Sequence, residues 1–240
     1  MSAPVAIYVF LLVIATLSLA NHGLGPPETT FHGIGRKVKT EVFWLSGKVT
    51  VPKFLPPGSN VASVWPGLQK DGVGIMEGVT EKLRSLLQGR NPKTNKEPMW
   101  LIGGDYYKGK TFSQGTFMVD GNSVDPGQMV PFDLRYIREF HDWVVTVGSS
   151  DGNSVSFTYS PSQTFDYILF AVGLQIGASW DFGPVIFTDI TIAAYDKDTL
   201  WCTQAWDQFG LTTKPGVVGA KPKVYSDHTE CHIDSVTLYS

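Results

Sequence analysis

The sequence predicts an all-β protein, a two-sheet antiparallel sandwich or jelly roll with at most one short helix. Three observations predict it. The dominant hydrophobic period is two, the signature of half-buried strands. Frequent Gly and Pro cut the chain into many short segments, which favours a sandwich or jelly roll over a helical fold. Only Thr80 to Arg90 has the makings of a helix, of at most three turns, before a polar loop from Asn91 to Glu97.

The strands follow in order. Phe43, Leu45, Val49 and Val51 alternate with Trp44, Ser46, Lys48 and Thr50, and Pro52 with Pro56-Pro57-Gly58 ends that run. Strands are expected near Val61 to Gln69, Gly74 to Thr80, Met99 to Tyr107 and Met129 to Ile137. Trp143, Val145 and Val147 then alternate with Asp142, Val144 and Thr146. Further strands are expected at Val155 to Tyr159, Asp166 to Ile176 and Pro184 to Ala194, near Leu200 to Trp206, and from Ile233 to Tyr239. Turn chemistry separates them at Asp120-Gly121-Asn122, Asp125-Pro126-Gly127 and Ser150-Asp151-Gly152-Asn153.

Residues 1–20 carry no Lys, Arg, Asp or Glu, and the apolar run from Ile7 to Leu19 is too short to span a bilayer comfortably. Ser18 and Ala20 suit a signal-peptidase site, so a signal peptide cleaved after Ala20 is expected, and with it secretion and no membrane attachment afterwards. Residues 21–40 read as a loose N-terminal lead and 41–240 as one β-sandwich domain. The formal net charge is −3 and no polybasic run occurs, which excludes nucleic acid and anionic membranes as natural partners.

The two cysteines, Cys202 and Cys231, are expected to pair in an oxidising compartment. Closing a loop of about 30 residues contributes about 3 kcal/mol in the chain-entropy account. A metal reading would add His228 and His232, but a His pair four apart shares a helical face and this segment reads as turn plus strand. No P-loop, dinucleotide fingerprint or zinc signature occurs, so neither a cofactor nor a metal is expected.

Several short motifs, in order, carry a family resemblance: V-F-W-L-S-G-K-V-T-V-P, S-V-W-P-G-L-Q, G-I-M-E-G-V, P-M-W-L-I-G-G-D-Y-Y, V-D-P-G-Q-M and D-F-G-P-V-I-F-T-D. From Val42 to Ile192 the chain resembles the eqolisins, fungal glutamic endopeptidases with a concanavalin-like double sheet. The resemblance implies a secreted sandwich whose concave sheet pairs a glutamine with a glutamate. In that chemistry the glutamate is general acid/base on a water and the glutamine amide orients the water and stabilises the oxyanion.

Matched to those motifs, the chain has the wrong residues. Glu77 stands where the glutamine belongs, and Gly173, or Gln175 with a two-residue slip, stands where the glutamate belongs. Alternation along the same strand puts Ile168, Phe170, Val172, Leu174 and Ile176 on a core face and Leu169, Ala171, Gly173 and Gln175 on the other, which fits a groove floor. If the Glu77 strand faces the same groove, Glu77 and Gln175 form a transposed catalytic pair; the plainer reading makes both ordinary surface residues.

Other chemistries find less support. Gly148-Ser149-Ser150-Asp151-Gly152 matches a nucleophile elbow in letters, but a strand follows it, so a hairpin turn is expected. The even-spaced acids of a glucanase strand are missing. Tyr106, Tyr107, Lys108, Lys110 and His141 supply the residue types of a polysaccharide lyase without its spacing. Among seven tryptophans, Trp44 lies on the polar side of its strand, while Trp65, near Gln69, and Trp180, beside the Asp181 turn, are candidates to border the groove; the plainer reading makes each a core or edge-packing ring.

Two functions follow. One is a non-peptidase that binds a polysaccharide or polypeptide through Trp44, Trp65, Gln69, Gly173 and Trp180. The other is a hydrolase that uses Glu77 with Gln175.

Overall fold

The computed structural model describes residues 29–54, 62–70, 81–90, 99–108, 111–117, 123–148, 154–160, 164–175 and 177–240. The expected leader, the expected strand from Gly74 to Thr80 and Glu77 lie outside the described residues.

The described chain is almost entirely β. In order come β1 (Thr29–Thr50), β2 (Ala62–Lys70), β3 (Glu81–Arg90), β4 (Met99–Lys108), β5 (Thr111–Phe117), β6 (Ser123–Val124), β7 (Met129–Ile137), β8 (Asp142–Gly148), β9 (Ser154–Tyr159), β10 (Phe165–Gln175) and β11 (Val185–Ala194). A one-turn helix, α1 (Leu200–Thr203), precedes β12 (Asp207–Phe209), β13 (Gly216–Val218), β14 (Lys221–Val224) and β15 (Thr229–Leu238).

All of these strands form one interconnected ladder, and β1 is its junction. The first half of β1 pairs with β10 and with the short β12; the second half pairs with β11 and β7. The register slips between Lys37 and Val42, where β1 leaves one set of partners for the other. One arm continues β10, β2, β3, β4 and β5; the other runs through β7, β8 and β9 on one side of β1 and β11 and β15 on the other. Side chains of both arms enter one core. Trp143 of β8 meets Phe165 of β10 at 5.3 Å between ring centroids, and Phe170 of β10 meets Phe187 of β11 at 5.0 Å. This is a largely β-stranded fold consistent with a β-sandwich.

Burial follows the sequence pattern where one face is wet. β7, β8 and β9 alternate buried and exposed positions almost without a break. β10 is buried on both faces from Phe165 to Leu174, as expected of a central strand covered on both sides.

Three expectations are corrected. Thr80 to Arg90 is not a helix: residues 81–90 are strand β3, paired with both β2 and β4. Leu83, Leu86 and Leu87 have helical spacing and no β-branched residue accompanies them, so local propensity pointed the wrong way and pairing overrode it. The chain near Leu200 is the helical turn α1 and not a strand; it delivers Cys202 to Cys231 of β15, and the expected disulfide is present. The loose lead is strand from Thr29 onward. The hairpin expected around residue 150 agrees with the antiparallel pairing of β8 and β9 up to Gly148 and Ser154.

Candidate functional site

The strand implied to carry the glutamate is β10, and its registers define two faces. Directly opposed residues in antiparallel strands point to the same side. Ile168, Phe170, Val172 and Leu174 enter the main core, as the alternation predicts. On the other side, Gly173 lies between Phe31 of β1 and Ser63 of β2, Ala171 between Gly33 and Trp65, Leu169 between Gly35 and Gly67, and Tyr167 between Lys37 and Gln69.

This second face is small-residued, but it is no open groove floor. Trp65, Leu169 and Ala171 are wholly buried and, with Tyr167, form an apolar cluster separate from the main core, with Phe31 and Phe209 packed on it. Phe31 and Trp65 meet edge to face at 6.2 Å. The glycines make room for rings: a Cβ on Gly35 would collide with the Tyr167 ring, and one on Gly33 with the Phe170 carbonyl oxygen and, at 2.9 Å, with the Phe209 ring. Gln69 is fully buried beside Tyr167, and Gln175 is half-buried at the strand end, where its carbonyl accepts the Ala178 N–H at 2.8 Å.

The titratable groups around this cluster went unnoticed in the sequence. Burial pushes the Tyr167 phenol up to about 12; the Asp207 carboxylate adds to the shift and the Arg36 guanidinium offsets it. Arg36, itself buried, is pulled below its ordinary value by desolvation, against the opposing pull of Asp207 and Tyr167. It donates to the Gln204 carbonyl at 2.8 Å and to that of Ala205, and it lies over the Trp206 ring. Arg36 and Asp207 meet only because β12 pairs with β1, which no local pattern announces.

The other arm turns an open polar face outward. The registers line up His232 of β15, Thr191 of β11, Ser46 of β1, Asp133 of β7, Thr146 of β8 and Ser156 of β9 in one row across six strands. Side-chain contacts mark both ends of the row: Thr191 Oγ1 lies 3.2 Å from His232 Nδ1, and Thr146 Oγ1 3.1 Å from Ser156 Oγ. Five strand spacings of about 4.8 Å give a row of about 24 Å.

Trp44 borders that row. The Arg135 guanidinium covers its ring at 4.7 Å, and Trp44 Nε1 donates to Asp133 Oδ2 at 3.0 Å, an oxygen that also accepts Arg135 Nη2 at 3.1 Å. Beside the row lies a depression of about 480 Å³ lined by Ser46, Lys48, Asp133, Thr146, Ser154 and Asp189 among others. Asp189 has a left-handed backbone (φ 52°) where β11 carries one extra residue against β1, between Thr188 and Thr191, and its carboxylate accepts Lys48 Nζ at 2.8 Å. The alternation of Asp133 and Arg135 with buried neighbours in β7 was a readable signal for this surface.

The remaining predicted residues scatter. Trp180 is half-buried, stacks on Phe182 and donates to the Gly183 carbonyl at 2.8 Å, while Asp181 accepts Ser179 Oγ at 3.2 Å within the same turn. His228 and His232 both approach Glu230, at 3.7 and 3.1 Å, because an even spacing on an extended segment also keeps one side. No group of three or more potential metal ligands occurs among the described residues. His141 meets the Tyr136 hydroxyl at 3.0 Å in the turn after β7.

No protein-family model matches the chain, and no curated protein matches it by sequence. Solved structures do resemble it. Scytalido-glutamic peptidase with a peptide-based transition-state analogue superposes with a TM-score of 0.53 at 13% identity, covering 86% of this chain and 98% of the peptidase. The same peptidase with a transition-state analogue inhibitor gives 0.53 at 14% identity over the same shares. A toad ovary galectin in complex with N-acetylgalactose gives 0.38 at 13% identity, covering 67% of this chain and 97% of the galectin. At these identities the peptidase likeness shows the fold alone.

Proposed function

We propose that this is a secreted protein with a concanavalin-like two-sheet sandwich and a signal peptide removed after Ala20. It keeps a glutamic-peptidase-like scaffold without that peptidase chemistry and binds a polymer, a polysaccharide or a polypeptide, across its polar row. The folded unit takes in β1 from Thr29 onward as well as residues 41–240. The Cys202–Cys231 disulfide supports an oxidising compartment.

The observation that carries the binding reading is the row from His232 to Ser156. Its hydroxyls, carboxylate and imidazole supply donors and acceptors at every strand, over a length suited to several polymer units. The Trp44 ring carries the Arg135 guanidinium on its face, so the pair sets planar N–H donors beside Asp133 of the row. The loss of peptidase chemistry is supported by β10: the face that should bear the glutamate presents Gly173 and Gln175, and an amide is no general base.

Two measurements test the reading. Denatured-protein substrates should survive incubation across the acid range; strong cleavage, lost in Glu77→Gln but kept in Glu139→Gln, would replace this proposal with the transposed Glu77/Gln175 hydrolase. Pull-down on insoluble cell-wall polysaccharides and on extended polypeptides should show binding that Trp44→Ala or Asp133→Asn weakens about tenfold, the equivalent of about 1.4 kcal/mol. Binding to neither class of polymer, or binding untouched by both substitutions, rules the row out.

A further inference from the structure

The polar row runs between two walls. Trp44, Ser46 and Lys48 share the outward side of β1, opposite Arg135, Asp133 and Pro131 of β7. One wall is therefore Trp44 beneath the Arg135 guanidinium. The other is Lys48, held by Asp189, which the extra residue in β11 brings to the neighbouring strand. Four residues of strand, about 13 Å of backbone, separate Trp44 from Lys48. Between the walls Thr191, Ser46, Asp133 and Thr146 are half-buried, whereas His232 and Ser156 at the two ends are exposed.

Each wall brings a carboxylate to the depression of about 480 Å³. Trp44 and Arg135 both donate to Oδ2 of Asp133, and Lys48 donates to Oδ2 of Asp189. In both groups Oδ1 has no donor among the described residues. The Asp133 and Asp189 side chains are 37% and 65% exposed, so an incoming hydroxyl reaches both.

Charge and spacing choose the occupant. Asp133 is balanced by Arg135 at 3.1 Å, Asp189 by Lys48 at 2.8 Å, and Glu230 lies 3.1 Å from the His232 imidazole. A polyanion or a polycation laid along the row meets like charges as often as opposite ones. A neutral chain of hydroxyls donates to the two carboxylates and accepts from Arg135 and Lys48 without that penalty. The row also offers one polar side chain per strand, a repeat of about 4.8 Å, and an equatorially linked pyranose advances its chain by about that strand spacing. An extended peptide repeats its same-side residues every 6.6 Å or so, and it draws affinity from main-chain bonds along a strand edge, which a chain crossing the face of a sheet forgoes.

Building on the polymer-binding reading of this row, we propose that its occupant is a single neutral polysaccharide chain lying across the strands, one sugar unit to each strand from β15 to β9. The unit over Ser46 and Asp133 sits in the depression.

The test is calorimetric titration of the purified protein with neutral gluco-, manno- and xylo-oligosaccharides of two to eight units. Polygalacturonate, chitosan and unfolded casein serve as anionic, cationic and polypeptide probes. In at least one neutral series the affinity should climb with length and level off near six units, since the row crosses six strands. Asp189→Asn, which tolerates the left-handed backbone, should weaken chains of every length about tenfold. Ser156→Ala, at the exposed end, should weaken a six-unit chain several-fold and a three-unit chain less. Affinity flat from two to eight units, equal losses at both lengths in Ser156→Ala, or tighter binding of polygalacturonate or chitosan would each overturn the proposal. Casein bound in place of every oligosaccharide, and weakened by Asp133→Asn, would overturn it while leaving the polymer-binding reading intact; binding of no probe at all would end both.

Discussion

The two arms treat the face turned away from the main core in opposite ways. Around β10 that face carries Tyr167, Leu169, Ala171 and Gly173, and the rings of Phe31, Trp65 and Phe209 close over it. Around β7 and β8 the corresponding face carries Ser46, Asp133, Thr146 and Ser156 and stays open. Small residues on a strand therefore record that something must approach the backbone, without recording whether it is a ligand or the protein's own aromatic rings. Polar residues at alternate positions are the better sign of a working surface, because burying them unpaired is costly.

Truncation should separate the two faces most sharply. Leu169→Ala removes a wholly buried side chain and should cost about 2–5 kcal/mol in urea unfolding, whereas Thr146→Ala on the open face should stay within about 0.5 kcal/mol. Comparable losses at both positions would erase the distinction. Adding an atom is the next probe. Gly33→Ala drives a methyl into the Phe170 carbonyl and should cost about 1–3 kcal/mol, while Gly216→Ala, whose added carbon has Thr237 Cβ at 3.7 Å as its nearest neighbour, should cost less than 1 kcal/mol.

The smallest effect tests the closed face electrostatically. The Tyr167 phenol is raised from 10.0 to about 12, so its protonated form favours the folded state. That contribution is fully present below about pH 10 and is lost as pH rises towards 12. Ultraviolet titration should show one late tyrosinate that disappears in Tyr167→Phe; a variant with an unchanged titration curve would mean that the ring is open to water.

Much of the fold was legible where one side of a strand is wet. Trp143, Val145 and Val147 announce β8, and Met129 to Ile137 matches β7 residue for residue. The disulfide was legible because only two cysteines exist. The strand β3 was not, because its leucines repeat at three and four and only its two neighbours make it extended. The site divides in the same way. The partial exposure of Trp44 follows from alternation along β1, but the burial of Trp65 depends on Phe31 arriving beside β10, a pairing between distant parts of the chain. The polar row needed five strand registers at once, and none of them is a local property.

The double allegiance of β1 has a consequence for how the molecule comes into being. Thr29 waits for Gln175, and Gly33 for Phe209, so the first half of this strand stays without its ladder partners until most of the chain has been made. At roughly 5–20 residues per second that wait lasts roughly 7–30 s. Throughout it, Phe31 to Lys37 presents an open strand edge of the kind that pairs with other chains. Slowed or interrupted synthesis should therefore expose this segment, before any other part of the described fold, to aggregation and to whatever machinery guards nascent strands.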